Sequence, residues 1–278
     1  MSKLVLVVLL LFIITCSHCA RILGIIPSPS YSHQTTFQPL FRELSLRGHQ
    51  VTTLTTEPIN DPELVNLTEI DLHFSYDVWK AILSEAIGAN IIKSVFVLLE
   101  AVQEISRLQL EHPQVQDLLR NKTAMFDLVI LEYTIPAMMP FAQRFNCPFI
   151  GIVPMDPSGI ILQLFGHPTH KVLYPDNMLS FTDHQTFFEL IQSVIFTSII
   201  EFHYTYYFYP NQQKLVNWYF GENYPSLEEL AANVSLLFIN SYTVFHKVRP
   251  LLPNVIPVGG VHRRPSKPLP KVTVGPST

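Results

Sequence analysis

A histidine and a carboxylate are the two groups that let a site at neutral pH take a proton from a weak nucleophile. Imidazole titrates at about 6.5, close to working pH. A carboxylate on its other ring nitrogen fixes the tautomer and stabilises the imidazolium that forms. The sequence holds one candidate for each role. His33 lies just past a Pro/Ser loop (Pro27–Ser30), where a helical pattern begins. Glu132 ends the largely apolar run Phe126–Leu131. By position alone each has a plainer reading: His33 as a helix residue bonded locally, Glu132 as a solvated strand end.

The elements that must position them are legible. The apolar run Ile22–Ile26 precedes the loop, and a helix-periodic segment, Gly48 and the β-branched run Val51–Thr56 follow it. That is a βαβ unit. Its right-handed crossover sets His33 at the C-terminal edge of a parallel sheet, where open α/β sheets bind ligands. The pattern repeats with Glu132 at a strand tip, a helix over Pro136–Phe145 and a buried strand over Pro148–Val153. Strand tips gather on one edge, so His33 and Glu132 are expected to converge. Further strands are expected at Thr68–Phe74, Val234–Ile239 and Val255–Val258, helical segments over residues 77–120, and a short capped helix at Ser226–Ala232.

The composition is apolar. Of 278 residues, 48% are hydrophobic and 14% charged, against about 25% charged in typical soluble domains. The net charge of -4 leaves no basic footprint for nucleic acid. Residues 1–19 read as a secretory signal, with Lys3, the apolar run Leu4–Ile14, and Ser17 and Cys19 at the -3 and -1 positions; a signal anchor is the alternative. Cleavage there removes Cys16 and Cys19 and leaves Cys147, read as a buried structural thiol rather than a nucleophile. Asn66, Asn121 and Asn233 begin Asn-X-Ser/Thr sequons and are candidate glycosylation sites in a lumenal compartment, Asn233 partly shielded by the apolar run after it.

Residues 154–180 read as loop. The aromatic stretch Thr182–Tyr209 reads as helix, with Thr182 as cap and Asp183 in the first turn. Glu189, Glu201 and His203 argue against a membrane span. A core helix pair, the wall of an apolar pocket and a membrane-apposed surface all remain open for it. His49 reads as structural. His167 and His170, three apart in a proline loop, lack a third ligand nearby. Pro27–Ser30 is not a glycine-rich phosphate cradle.

Three segments carry a family resemblance: SYSHQTTFQPLFRELSLRGHQVTTLT (Ser30–Thr55), FDLVILEYTIP (Phe126–Pro136) with RFNCPFIGI (Arg144–Ile152), and NVSLLFINSYTVFHKVRPLLPNVIPVGGVH (Asn233–His262). In their order and spacing the chain resembles the N-terminal half of the UDP-glycosyltransferases of the glucuronosyltransferase family, insect members above all. The resemblance implies a Rossmann-like parallel sheet with flanking helices, the N-terminal domain of a GT-B glycosyltransferase. It implies an acceptor-binding domain over 20–262, a linker or irregular tail over 263–278, and no donor-binding domain. His33 matches the family's base. Glu132 matches a partner that is aspartate in the family, one methylene shorter. The complete enzyme would transfer glucose or glucuronate from a UDP-sugar to a small lipophilic acceptor with inversion. No cofactor is expected on this chain, which alone would be inactive. The alternative is a lipophile-binding or regulatory partner that pairs with full-length transferases. The expected address is the endoplasmic reticulum lumen.

Overall fold

The computed structural model describes residues 19–181, 184–246 and 248–263. Residues 1–18 of the expected signal and 264–278 of the expected tail lie outside that set.

The opening unit forms as its pattern requires. Strand β1 (Arg21–Ile26) is buried from its second residue onward, as a central parallel strand must be. Helix α1 (Tyr31–Leu46) follows the Pro/Ser loop and ends at Gly48, whose φ of +91° carries no Cβ penalty there. Strand β2 (Gln50–Thr55) then pairs parallel to β1. Gly24 is where α1 presses closest, since a Cβ at that position would lie 2.5 Å from the Phe41 ring.

The remaining strands are β3 (Leu67–Asp71), β4 (Leu128–Glu132), β5 (Phe149–Val153), β6 (Leu236–Ile239) and β7 (Val255–Pro257). They complete a parallel sheet in the order β3-β2-β1-β4-β5-β6-β7. Construction runs outward from β1 to β2 and β3, then resumes on its other side with β4. The chain reverses direction across the sheet between β1 and β4, and reversal with right-handed crossovers sends the connecting helices to opposite faces. Phe37 and Phe41 of α1 pack on Ile22, Ile26, Val51, Ile130 and Ile152 on one face. The other face carries the larger core.

The helical elements include α2 (Ser75–Leu83), α3 (Ile91–Glu111), α4 (Pro113–Arg120), a 3₁₀ turn (Pro136–Met138) with α5 (Pro140–Phe145), α6 (Gly159–Leu164), α7 (Phe187–His203), α8 (Tyr209–Phe220) and α9 (Leu227–Ala232). All of these but α7 contribute to that larger core, whereas Phe196 and Ile200 of α7 pack with Val95 of α3 in a separate cluster. Helix α9 carries the expected capping box, with Ser226 and Glu229 bonding reciprocally.

Three local expectations are corrected. Helix α6 lies inside the segment read as loop, too short for its periodicity to register. Helix α7 starts at Phe187, capped by a Thr186–Glu189 box that satisfies the first turn; the expected cap residues Thr182 and Asp183 lie outside the described residues. Its helical path continues through a π-helical turn (Tyr204–Phe208) into α8, beyond the expected end at Tyr209.

A plain core helix pair does not describe this run. Phe196, Ile200, Tyr204, Phe208 and Tyr209 are buried, whereas Phe187, Phe188, Phe202, Tyr206 and Tyr207 are more than half exposed. Among the described residues, no helix is long and apolar enough to cross a membrane.

Candidate active site

The switch between β1 and β4 brings together the two side chains singled out in the sequence. His33 occupies the first turn of α1, directly after the β1 tip, and Glu132 is the last residue of β4. His33 Nδ1–H donates to Glu132 Oε1 at 2.7 Å. The longer glutamate side chain therefore reaches the imidazole. Glu132 is fully buried, which overturns the reading of a solvated strand end.

A buried carboxylate needs donors, and these come from neighbouring tips. Ser28 Oγ–H donates to Oε1 at 2.7 Å and Thr134 Oγ1–H at 2.9 Å, while the Ser28 amide donates to Oε2 at 3.4 Å. Burial favours the neutral acid, but the His33 charge and these hydrogen bonds outweigh it and hold the Glu132 pKa below its ordinary 4.5. Burial likewise opposes the charged imidazole. The facing carboxylate and its hydrogen bond win again, and the His33 pKa lies above 6.5. With Nδ1 committed to Glu132, Nε2 is the nitrogen left to take up a proton.

The loop that carries Ser28 is held by two buried glutamines. Gln34 Nε2 donates to the carbonyls of Ile26 and Ser28 and to Thr56 Oγ1, and Thr55 Oγ1–H donates back to Gln34 Oε1. Gln109, far along α3, donates to the carbonyl of Pro27 at 2.7 Å and to Ser75 Oγ at 2.9 Å. Neither glutamine was legible as part of the site. Gln34 is one residue from the histidine, but its partners lie on the β1 and β2 tips. Gln109 has no local signal at all. Ser28 and Thr134 were hidden in the same way, as ordinary hydroxyl residues near a strand end.

His33 opens onto a cavity of about 230 Å³. Its walls come from α3 (Val95, Leu98, Val102), from Trp79 of α2, and from Phe196, Ile200 and Tyr204 on the inner face of α7 and the π turn. Of the open readings for residues 182–209, the wall of an apolar pocket describes this inner face. Such a cavity, apolar with a few polar groups at one end, suits a small lipophile.

The other residues fall elsewhere. Asn121 and Asn233 are exposed and Asn66 is half-buried, so Asn233 is not shielded as expected: the strand that follows it turns inward while its own side chain faces out. Cys147 is half-buried rather than buried, and burial raises its pKa to about 11, which suppresses thiolate chemistry. His49 Nδ1 accepts from the Ala20 amide, a structural bond. Both nitrogens of His167 bond backbone carbonyls, and His170 Nδ1 accepts from the Leu173 amide. Among the described residues, no group of three His, Cys, Asp or Glu side chains could hold a metal ion.

Fold and site together define a doubly wound α/β domain, with a buried histidine–carboxylate pair at its switch point and an apolar cavity beside it. The family described as UDP-glucoronosyl and UDP-glucosyl transferase matches residues 21–274, and the chain belongs to that family. It is 31% identical over 260 residues to the UDP-glycosyltransferase UGT4 of Dactylopius coccus, covering 90% of this chain and 50% of that protein. It is 26% identical over 289 residues to the human UDP-glucuronosyltransferase 2B7, covering 97% and 54%. The solved structure of TcCGT1 in complex with UDP aligns with 91% of this chain and 53% of its own, at 14% identity and a TM-score of 0.46. The chain thus spans about half the length of the curated relatives it matches.

Proposed function

We propose that this chain is the acceptor-binding half of a UDP-glycosyltransferase, the N-terminal domain of a GT-B enzyme. In the complete enzyme a sugar, glucose or glucuronate, passes from a UDP-sugar to the hydroxyl of a small lipophilic acceptor with inversion. The observation that carries this reading is the 2.7 Å His33–Glu132 bond at the mouth of an apolar cavity. His33 Nε2 takes the acceptor proton as the oxygen attacks the anomeric carbon, and Glu132 orients the ring and stabilises the imidazolium. His33, Glu132 and the apolar cavity are read as serving proton transfer and acceptor binding. The UDP-sugar is assigned to the facing domain of the complete enzyme, and the 278-residue chain by itself is expected to bind acceptor without transferring sugar. The test pairs two measurements: fluorescence titration of the chain with lipophilic alcohols, and turnover of UDP-sugar by the same preparation. Affinity without turnover is the expected result; sugar transfer by this chain alone overturns the division of labour.

A second reading, a lipophile-binding or regulatory partner of full-length transferases, draws on the exposed outer face of α7. Phe188, Ile191, Ile195, Ile199, Phe202 and Tyr206 follow one another at helical spacing and are exposed. Contiguous apolar surface of this kind marks protein or membrane contact. Co-purification with a full-length transferase, lost in Phe202→Ser, supports the partner reading; binding to lipid vesicles alone assigns the face to a membrane surface. The proposed address is the lumen of the endoplasmic reticulum. It predicts that the chain expressed in insect cells shifts in mass on glycosidase treatment, and that Asn121→Gln reduces the shift. An unchanged mass overturns the lumenal address.

A further inference from the structure

The hydrogen bonds on Glu132 are unevenly divided between its two oxygens. Oε1 accepts three, from His33 Nδ1 at 2.7 Å, Ser28 Oγ at 2.7 Å and Thr134 Oγ1 at 2.9 Å. Among the described residues, Oε2 accepts one, from the Ser28 amide at 3.4 Å. A carboxyl oxygen offers about two lone pairs, so Oε1 carries one donor more than it can bond well. The donor that loses least by leaving is the one with another acceptor in reach.

Thr134 is placed to be that donor. Ser28 is only 4% exposed and holds Glu132 through its amide as well as its hydroxyl. Its carbonyl is bound in turn by Gln34 Nε2 at 2.8 Å and Thr56 Oγ1 at 3.0 Å. Thr134 lies two residues past the β4 tip and makes the longest of the three bonds. It is half-buried, and it stands with His33 on the lining of the cavity. A hydroxyl hydrogen rotates freely, so Thr134 can change acceptor without moving a heavy atom.

We propose that Thr134 holds the attacking oxygen: its hydroxyl donates to the oxygen of the bound acceptor alcohol, while that alcohol donates its own proton toward His33 Nε2. This rests on the acceptor reading and adds how the alcohol is oriented. An alcohol oxygen has one hydrogen and two lone pairs. The hydrogen points to Nε2, one lone pair takes the Thr134 hydroxyl, and the other is left free to attack the anomeric carbon. When Thr134 turns away, Oε1 keeps His33 and Ser28, the number it can bond well. Arrival of the acceptor oxygen thus relieves the bond that orients the base of a competing donor.

The experiment titrates the 278-residue chain with 1-octanol and with 1-chlorooctane, which carries chlorine in place of the hydroxyl. The reading is the fluorescence of Trp79, which lines the cavity. Thr134→Val keeps the shape of the side chain and removes the donor. It should weaken 1-octanol about fivefold, the scale of one net hydrogen bond, and leave 1-chlorooctane unchanged, which also shows that the variant is folded. Thr134→Ser should restore the 1-octanol affinity. If Thr134 serves Glu132 alone, Thr134→Val instead shifts the His33 titration seen by NMR and leaves both affinities as in the wild type. That result, or equal weakening of both ligands, overturns the proposal and leaves the acceptor reading intact. If the wild-type chain binds neither ligand, the acceptor reading itself fails.

Discussion

The two ends of the cavity beside His33 are built in opposite ways. At the chemical end, Ser28, His33, Glu132 and Thr134 sit on or next to the tips of β1 and β4 and bond one another between 2.7 and 3.4 Å. Their backbone is fixed by the sheet and by Gln34 and Gln109. At the far end, Phe196, Ile200 and Tyr204 come from a helical run remote in sequence, with α6 and a proline-rich loop beside it. Directional bonds define the first end, apolar contact and shape the second. A proton-transfer pair tolerates little displacement, whereas an apolar wall can be recut without touching the chemistry. Under the proposed function, catalysis and acceptor choice fall to structurally separate parts of one cavity.

The largest expected effect tests the chemical end. His33→Ala, placed in a full-length transferase carrying this domain, should lower turnover by about 10²- to 10⁴-fold, the range of a positioned general base. Acceptor affinity of the chain should change little, because the imidazole is one polar group on an apolar lining. Turnover that survives the substitution removes His33 from the mechanism.

Glu132→Gln should come next, with a distinctive pH signature. The carboxylate holds the His33 pKa above 6.5 against burial. Activity that needs neutral His33 therefore rises with pH through an apparent pKa above 6.5 in the wild type. Removing the charge leaves burial in command, so that limb should move below 6.5 as turnover falls. A limb that stays in place shows that Glu132 does not set the base.

The same linkage reaches stability. The raised His33 pKa contributes stability that is complete below 6.5 and is lost as pH rises through the folded value. The depressed Glu132 pKa contributes stability that is present above 4.5 and is lost as pH falls through the folded value. Urea midpoints of wild type and Glu132→Gln should thus differ most between about 4.5 and 6.5. A difference that keeps growing above neutral pH contradicts the pair.

Two smaller effects separate the faces of α7. Phe196→Ala removes a ring that is 5% exposed and should cost about 3 kcal/mol of stability. It should also alter acceptor affinity without moving the pH profile. Phe188→Ser changes a ring that is 75% exposed and should stay within about 0.5 kcal/mol. Equal losses at the two positions would mean that the outer face is also buried in solution.

By itself the sequence determined the frame and singled out two residues of the chemical end, His33 and Glu132. Period-2 and period-3.6 patterns, with Gly48 at the turn, specify β1, α1 and β2, and the strand-tip rule for parallel sheets joins His33 to Glu132 across 99 residues. These features are local, or follow from a topological rule that needs only the order of elements. Tertiary structure alone decided the rest. Glu132 is a buried, hydrogen-bonded carboxyl group rather than a solvated strand end because Ser28, Thr134 and His33 meet around it. Gln109 braces the Pro27 carbonyl from α3, and the aromatic run Phe187–Tyr209 divides into a cavity wall and an exposed stripe. Side-chain types told that the run was apolar. Which ring faces the cavity depends on where α7 packs, and that is set by contacts with α3 far away in the chain.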